Sequence, residues 1–165
     1  MSAMNKPVTT PEQRDLIITR TFDAPRDLVW KAWTDPEHVM RWWGPQYFTS
    51  PICKIDLRVG GKYLFCMRAP DGQDYYSTGV YQEIVPLERI VYTDNFADAD
   101  GNVIPASTYG MSDEYGETLV TVTFEDAGGK TRMTLKHEGI PAGDMAENTE
   151  AGWSTSLDKL ADSLK

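Results

Sequence analysis

Apolar residues in this chain recur at two spacings. Between residues 52 and 137 they mostly alternate with polar ones, the period of a half-buried strand; near both ends they recur at three and four, the period of a helix with one buried face. Residues 15–22 carry Leu16, Ile17, Ile18 and Phe22 among Thr and Arg, which predicts a strand ended by Asp23-Ala24-Pro25. Pro25 then opens a short helix, capped by Asp23 or Ala24, with the stripe Leu28, Val29, Ala32 and Trp33. Thr34-Asp35-Pro36-Glu37 restarts the chain as a capping box with Glu37 reaching back. Val39, Met40, Trp42 and Trp43 make a second short helix, stopped by Gly44-Pro45.

From residue 52, Cys53, Ile55, Leu57 and Val59 share one strand face. Gly60-Gly61 predicts a tight hairpin, with Tyr63, Phe65 and Met67 alternating along the return strand until Pro70-Asp71-Gly72. In that register Cys53 faces Arg68 and Cys66 faces Ile55, so the thiols share a face as a diagonal pair, beyond normal disulfide reach. Residues 75–85 and 88–96 form two more strands, and 97–115 is a long polar connection. Residues 117–125 and 131–137 form a hairpin around Asp126-Ala127-Gly128-Gly129, and the sheet ends before Gly139-Ile140-Pro141. Met145, Thr149, Trp153, Leu157, Leu160 and Leu164 then mark one stripe of a long helix.

The order is strand, two short helices, about six antiparallel strands and one long helix, an α+β arrangement. A single long amphipathic helix must cover the apolar face of the sheet. It is expected to lie across the concave side of a strongly curved sheet, the short helices plugging one end and a cavity remaining between helix and sheet. Residues 1–12 are expected to be disordered and 13–165 to form one domain.

Composition narrows the function. Sixteen Lys and Arg against twenty-five Asp and Glu leave a net charge of −9, which argues against nucleic acid and anionic membranes as partners. No apolar run approaches a bilayer span, and the first residues lack a secretory signal, so a cytoplasmic location is expected. Two cysteines are too few for a disulfide scaffold or a cysteine zinc site, and both read as buried, reduced thiols.

The residues also match a family pattern. Residues 18–25, Ile-Thr-Arg-Thr-Phe-Asp-Ala-Pro, lead to Val29-Trp30. Trp42-Trp43-Gly44-Pro45, Arg58-Val59-Gly60-Gly61, Asp71-Gly72, Gly79 with Glu83 and Pro86, and Gly152-Trp153 before Leu157 and Leu160 follow in order. The chain thereby resembles the Bet v 1-like or START-like (SRPBCC) superfamily, specifically domains like that of the activator of Hsp90 ATPase homologue. The resemblance implies a helix-grip fold, often with an apolar pocket, and no shared set of catalytic residues. It also implies an Hsp90-type chaperone as a partner in a stress response, although the N-terminal domain implied to make a major chaperone contact is not part of these 165 residues.

Candidate chemistry is concentrated in aromatic and Met residues. Trp43, Phe65, Met67, Tyr81, Tyr92, Phe96, Met133 and Trp153 are expected to line the cavity, with Tyr109 and Met111 in a lid over it. Such a lining suits a small apolar or amphipathic molecule, bound without covalent chemistry and without a cofactor. A cyclase-, aromatase- or hydrolase-like enzyme would use Tyr81, Tyr92 or His137 as acid or base. His38 and His137 have no ligand cluster around them, so no metal site is expected. Asp94, Asp98, Asp100 and Glu114 lack the pattern of a calcium loop and read as solvated turn residues. The chain is expected to be a monomer or a homodimer.

Overall fold

The computed structural model describes residues 13–165; the disorder expected of residues 1–12 lies outside them. The elements run β1 (Gln13–Phe22), α1 (Arg26–Thr34), α2 (Pro36–Trp42), β2 (Cys53–Ile55), β3 (Lys62–Arg68), β4 (Asp74–Val85), β5 (Arg89–Ala97), a 3-10 turn (Ala106–Tyr109), β6 (Thr118–Ala127), β7 (Lys130–Pro141) and α3 (Asp144–Ser163). The strands form one curved antiparallel sheet in the order β1-β7-β6-β5-β4-β3-β2, so that the first strand lies beside the last. The expected helix-grip architecture is present: α3 packs on β1 and β7 and against α2.

Period-two alternation builds the concave face. Val120, Val122 and Phe124 of β6, Met133 and Leu135 of β7, and Ile90 of β5 are buried beneath the helices, where Val29, Trp42, Leu157 and Leu160 meet them. Burial of each such side chain contributes roughly 1.5–3 kcal/mol. Two polar clamps fix α3. Arg20 of β1 donates to Asp158 Oδ1 at 2.9 Å and to the Ser154 carbonyl at 3.0 Å. Lys159 Nζ donates to the carbonyls of Gly44, Pro45 and Phe48 at 3.0, 3.3 and 2.9 Å, tying the segment after α2 to the helix.

Several local expectations change. Gly60-Gly61 is not a two-residue hairpin: β2 ends at Ile55, Cys53 pairs with Phe65, and residues 56–61 form a longer loop. The two glycines instead bond to β4, Gly60 N to the Tyr81 carbonyl at 2.8 Å and Tyr81 N to the Gly61 carbonyl at 2.9 Å. A side chain at Gly61 would collide with the carbonyls of Asp56 and Arg58, so the tight curl of the loop demands glycine there. Leu57 and Val59 consequently leave the sheet and are exposed. With Cys53 opposite Phe65, Cys66 falls one position on, so the pleat sends the two thiols to opposite faces.

At α1 the cap is Pro25 rather than Asp23 or Ala24, with no side-chain hydrogen bond. At α2 the cap is Asp35, whose side chain accepts from Glu37 N at 3.2 Å, while the Thr34 hydroxyl donates to the Trp30 carbonyl at 2.9 Å and forms no capping box with Glu37. Strand β7 continues past the expected end, because Gly139 at φ 93° accommodates a register shift between Arg14 and Leu16 in β1, and Ile140 is buried against Leu16 and Ala146.

Candidate functional site

Between α3 and the β3–β4–β5 half of the sheet lies a recess of about 250 Å³. Its walls come from four places. Trp43, Gly44 and Pro45 follow α2; Met67, Tyr75 and Ser77 come from β3 and β4; Asp94 and Phe96 come from β5; Thr149, Gly152, Trp153 and Ser156 come from α3. Met111 and Tyr115, from the connection between β5 and β6, and His137 of β7 complete it.

The aromatic candidates divide between this recess and the core. Trp43, Met67, Phe96 and Trp153 line it. Phe65, Tyr81, Tyr92 and Met133 do not: each is buried, and Phe65 backs the recess with its ring centroid 4.5 Å from that of Trp43. The adjacent tryptophans split similarly. Trp42 is fully buried and donates to the Ala32 carbonyl at 2.8 Å, while Trp43 turns to the recess. Of the expected lid, Met111 lines the recess. Tyr109 is fastened outside it, its hydroxyl donating to the Ala97 carbonyl at 2.6 Å and accepting from Tyr76 N at 3.1 Å.

One lining residue overturns its sequence reading. Asp94 is not a solvated turn residue: it is half-buried on β5, in step with Tyr92 and Phe96, and faces the recess. The Tyr63 hydroxyl, from β3, lies 2.8 Å from Asp94 Oδ1 and 2.8 Å from the Thr93 carbonyl. Tyr63 reaches β5 by passing over β4 at Gly79, its direct partner in the sheet. A Cβ at Gly79 would strike the Thr93 backbone, so glycine both opens the path for the phenol and admits the close approach of β5. The local β4–β5 ladder adapts, with Val80 N donating to Thr93 Oγ1 at 2.9 Å.

A second polar line starts from the helix. Trp153 Nε1 donates to His137 Nδ1 at 3.0 Å, which places the ring proton on Nε2, 2.8 Å from Thr118 Oγ1. Thr118 Oγ1 in turn lies 3.4 Å from the Asp94 carbonyl. Burial lowers His137 to a pKa of about 4, so the ring is neutral and both nitrogens are engaged. Burial raises Asp94 to about 6, with the Tyr63 hydrogen bond pulling the other way. Tyr115 is raised by burial and by the charge of Asp94. Burial also raises Tyr81 and Tyr92, which have no access to the recess lining.

The arrangement offers aromatic walls, one carboxylate and a few hydroxyl and amide groups, which suits recognition of an amphipathic molecule. Among the described residues no group of three or more His, Cys, Asp or Glu is placed to hold a metal ion, and no helix is long and apolar enough to cross a membrane.

Comparison with known proteins gives a consistent picture. The family described as activator of Hsp90 ATPase homolog 1-like protein matches residues 23–165. A solved structure from Chromobacterium violaceum is 32% identical, with 91% of this chain and 96% of that one covered and a TM-score of 0.74. The AHSA1 protein from Silicibacter pomeroyi is 26% identical over 92% and 97% of the two chains, with a TM-score of 0.74. A protein from Arthrobacter aurescens is 26% identical over 96% and 92%, with a TM-score of 0.77. No curated protein matches the sequence.

Proposed function

The chain belongs to the activator of Hsp90 ATPase homologue 1-like family, within the Bet v 1-like superfamily, and on that premise we propose that it binds a small amphipathic molecule in the recess between α3 and the sheet, without covalent chemistry. The observation that carries the reading is the recess itself. Its walls are mainly aromatic and apolar, while its polar groups are few and convergent. Trp43 and Trp153 stand with ring centroids 5.6 Å apart, nearly perpendicular, and present rigid faces from two separate elements. The clamp from Lys159 to the carbonyls of Gly44, Pro45 and Phe48 holds the Trp43 side of the recess against the helix, which preorganises it.

Acid–base catalysis by Tyr81, Tyr92 or His137 draws no support from this geometry. The tyrosines are core residues, and His137 spends one nitrogen on Trp153 and the other on Thr118. Chaperone contact rests on the family description alone. The exposed large apolar residues Ile17, Leu28, Tyr47, Leu57, Val59 and Val103 are spread over separate segments of the chain.

Native mass spectrometry of the full chain with 4-phenylbutan-1-ol tests the binding reading. A single saturable adduct is expected for the parent, and Thr149→Trp, which fills the recess from α3, is expected to lose it at unchanged melting temperature. An equal adduct on both proteins, or none on the parent at millimolar concentration, overturns the reading.

A further inference from the structure

Asp94 is the single ionised side chain among the described residues of the recess lining, and these supply no cation to meet it. Among the described residues no Lys or Arg lines the recess, and His137 is neutral. Asp94 takes part in none of the ion pairs formed among the described residues. Its Oδ1 meets the Tyr63 hydroxyl; Oδ2 has no described partner and is not among the sealed, unpaired polar atoms, which leaves it open to the recess. An apolar residue would pack at this position, between Tyr92 and Phe96, without the cost of holding a charge away from bulk water. The charge is therefore a cost to the fold that the Tyr63 hydrogen bond offsets only in part.

From this juxtaposition of a lone carboxylate with aromatic walls we infer that the ligand is a protonated amine carried on an apolar or aromatic body, its ammonium group paired with Asp94. The inference rests on the ligand-binding reading above and names the chemical class that site selects. An ammonium supplies what the site lacks, a cation with donors for Asp94 Oδ2. The aromatic side chains of Trp43, Phe96, Tyr115 and Trp153 line the recess and pack the apolar body, and a ring that turns its face to the ammonium attracts it through its quadrupole. The net charge of −9 draws cations toward the protein and repels anionic ligands. A carboxylate of the same body would meet Asp94 as a like charge. Burial lifts Asp94 to about 6, which leaves it ionised at neutral pH. The titratable groups around it are Tyr63 of β3, Tyr92 of β5, Tyr115 of the β5–β6 connection and His137 of β7, all neutral there.

Isothermal titration at pH 7.5 with three ligands of one body, 4-phenylbutylamine, 4-phenylbutan-1-ol and 4-phenylbutanoate, tests the assignment on the parent and on Asp94→Asn. The amine is expected to bind the parent at least tenfold more tightly than the alcohol, and the carboxylate most weakly. In Asp94→Asn the amine-to-alcohol ratio is expected to fall to within twofold of unity, with a melting curve confirming that the variant is folded. Equal binding of amine and alcohol by the parent overturns the charge pairing while the recess reading stands. A tenfold preference that survives in Asp94→Asn overturns the role of Asp94. Failure of all three ligands at millimolar concentration overturns the recess reading and this one with it.

Discussion

Replacing Asp94 with Asn should make the protein more stable at pH 7.5 and leave it unchanged near pH 4. Burial raises the Asp94 pKa from 3.8 to about 6. A shift of about two units corresponds to at most about 3 kcal/mol. Because the carboxylate is half-buried and faces the recess, screening reduces this to about 1–2 kcal/mol. The sign follows from proton linkage. A carboxyl whose folded pKa is raised favours folding in its protonated form, so its contribution is complete below 3.8 and is lost as pH rises through about 6. Asn is neutral throughout, and its Oδ1 still accepts from the Tyr63 hydroxyl. For a chain of this length the gain at pH 7.5 raises the melting temperature by roughly 2–8 °C. Thermal or urea unfolding of both proteins at pH 4 and pH 7.5 measures it. An Asn variant that is less stable at pH 7.5, or whose difference from the parent is the same at both pH values, refutes the reasoning.

Four further outcomes follow from the same structure. His137 carries the opposite linkage: its pKa is lowered to about 4 by burial, so its contribution is complete above 6.5 and is lost as pH falls through 4; Asp94→Asn, stripped of the compensating carboxyl, should show this acid loss as a steeper fall in stability between pH 6.5 and 4. Trp153→Phe keeps an aromatic side chain but leaves His137 Nδ1 buried without its donor, at a cost of about 1–3 kcal/mol in urea unfolding; a variant as stable as the parent would show that bond to be dispensable. Gly79→Ala drives a methyl into the Thr93 backbone and should cost about 2–3 kcal/mol or more, against at most a few tenths for Gly116→Ala, where nothing lies within 4 Å of an added Cβ and the backbone is not left-handed; equal costs at the two sites would contradict the close-approach argument. Cys66 is buried as expected but Cys53 only half-buried; with the Cys53 thiol pushed up to about 12 and that of Cys66 also raised, both mainly by burial, the two should label slowly with a thiol reagent at pH 8 until the protein unfolds, and rapid labelling of Cys66 in the native state would contradict its burial.

The order of elements was legible because long alternating and helical runs carry their own period. β3 to β7 and α3 all lie where the spacing predicts them, within a few residues at each end. Local connections were less legible. Gly60-Gly61 satisfies the local rule for a tight turn, yet beside the local bond from Gly61 N to the Arg58 carbonyl it exchanges two bonds with Tyr81, twenty residues further on, which no local rule reports. The cavity face was partly legible. The alternation of Phe65 and Met67 places both on the concave side, but distance along a strand decides whether a residue meets the core or the recess. Phe65 stops at Trp43, and Met67, one repeat nearer the open end, reaches the lining. Asp94 carried a signal that its acidic neighbours masked. In Tyr92-Thr93-Asp94-Asn95-Phe96 the alternation sets Asp94 on the apolar face, whereas Asp98, which accepts from Asp100 N and Asn102 N at 2.9 Å each, is a true turn residue. A charged residue in phase with an apolar stripe is the sequence mark of such a site.

The most direct test of ligand binding between α3 and the sheet is a titration of the protein with 4-phenylbutan-1-ol, followed through the indole N–H resonances of its five tryptophans. Trp43 and Trp153 line the recess, whereas Trp30 packs on Phe124 outside its lining. Saturable shifts of the Trp43 and Trp153 resonances with Trp30 unmoved are the predicted result; no saturable shift, or one largest at Trp30, would contradict the account.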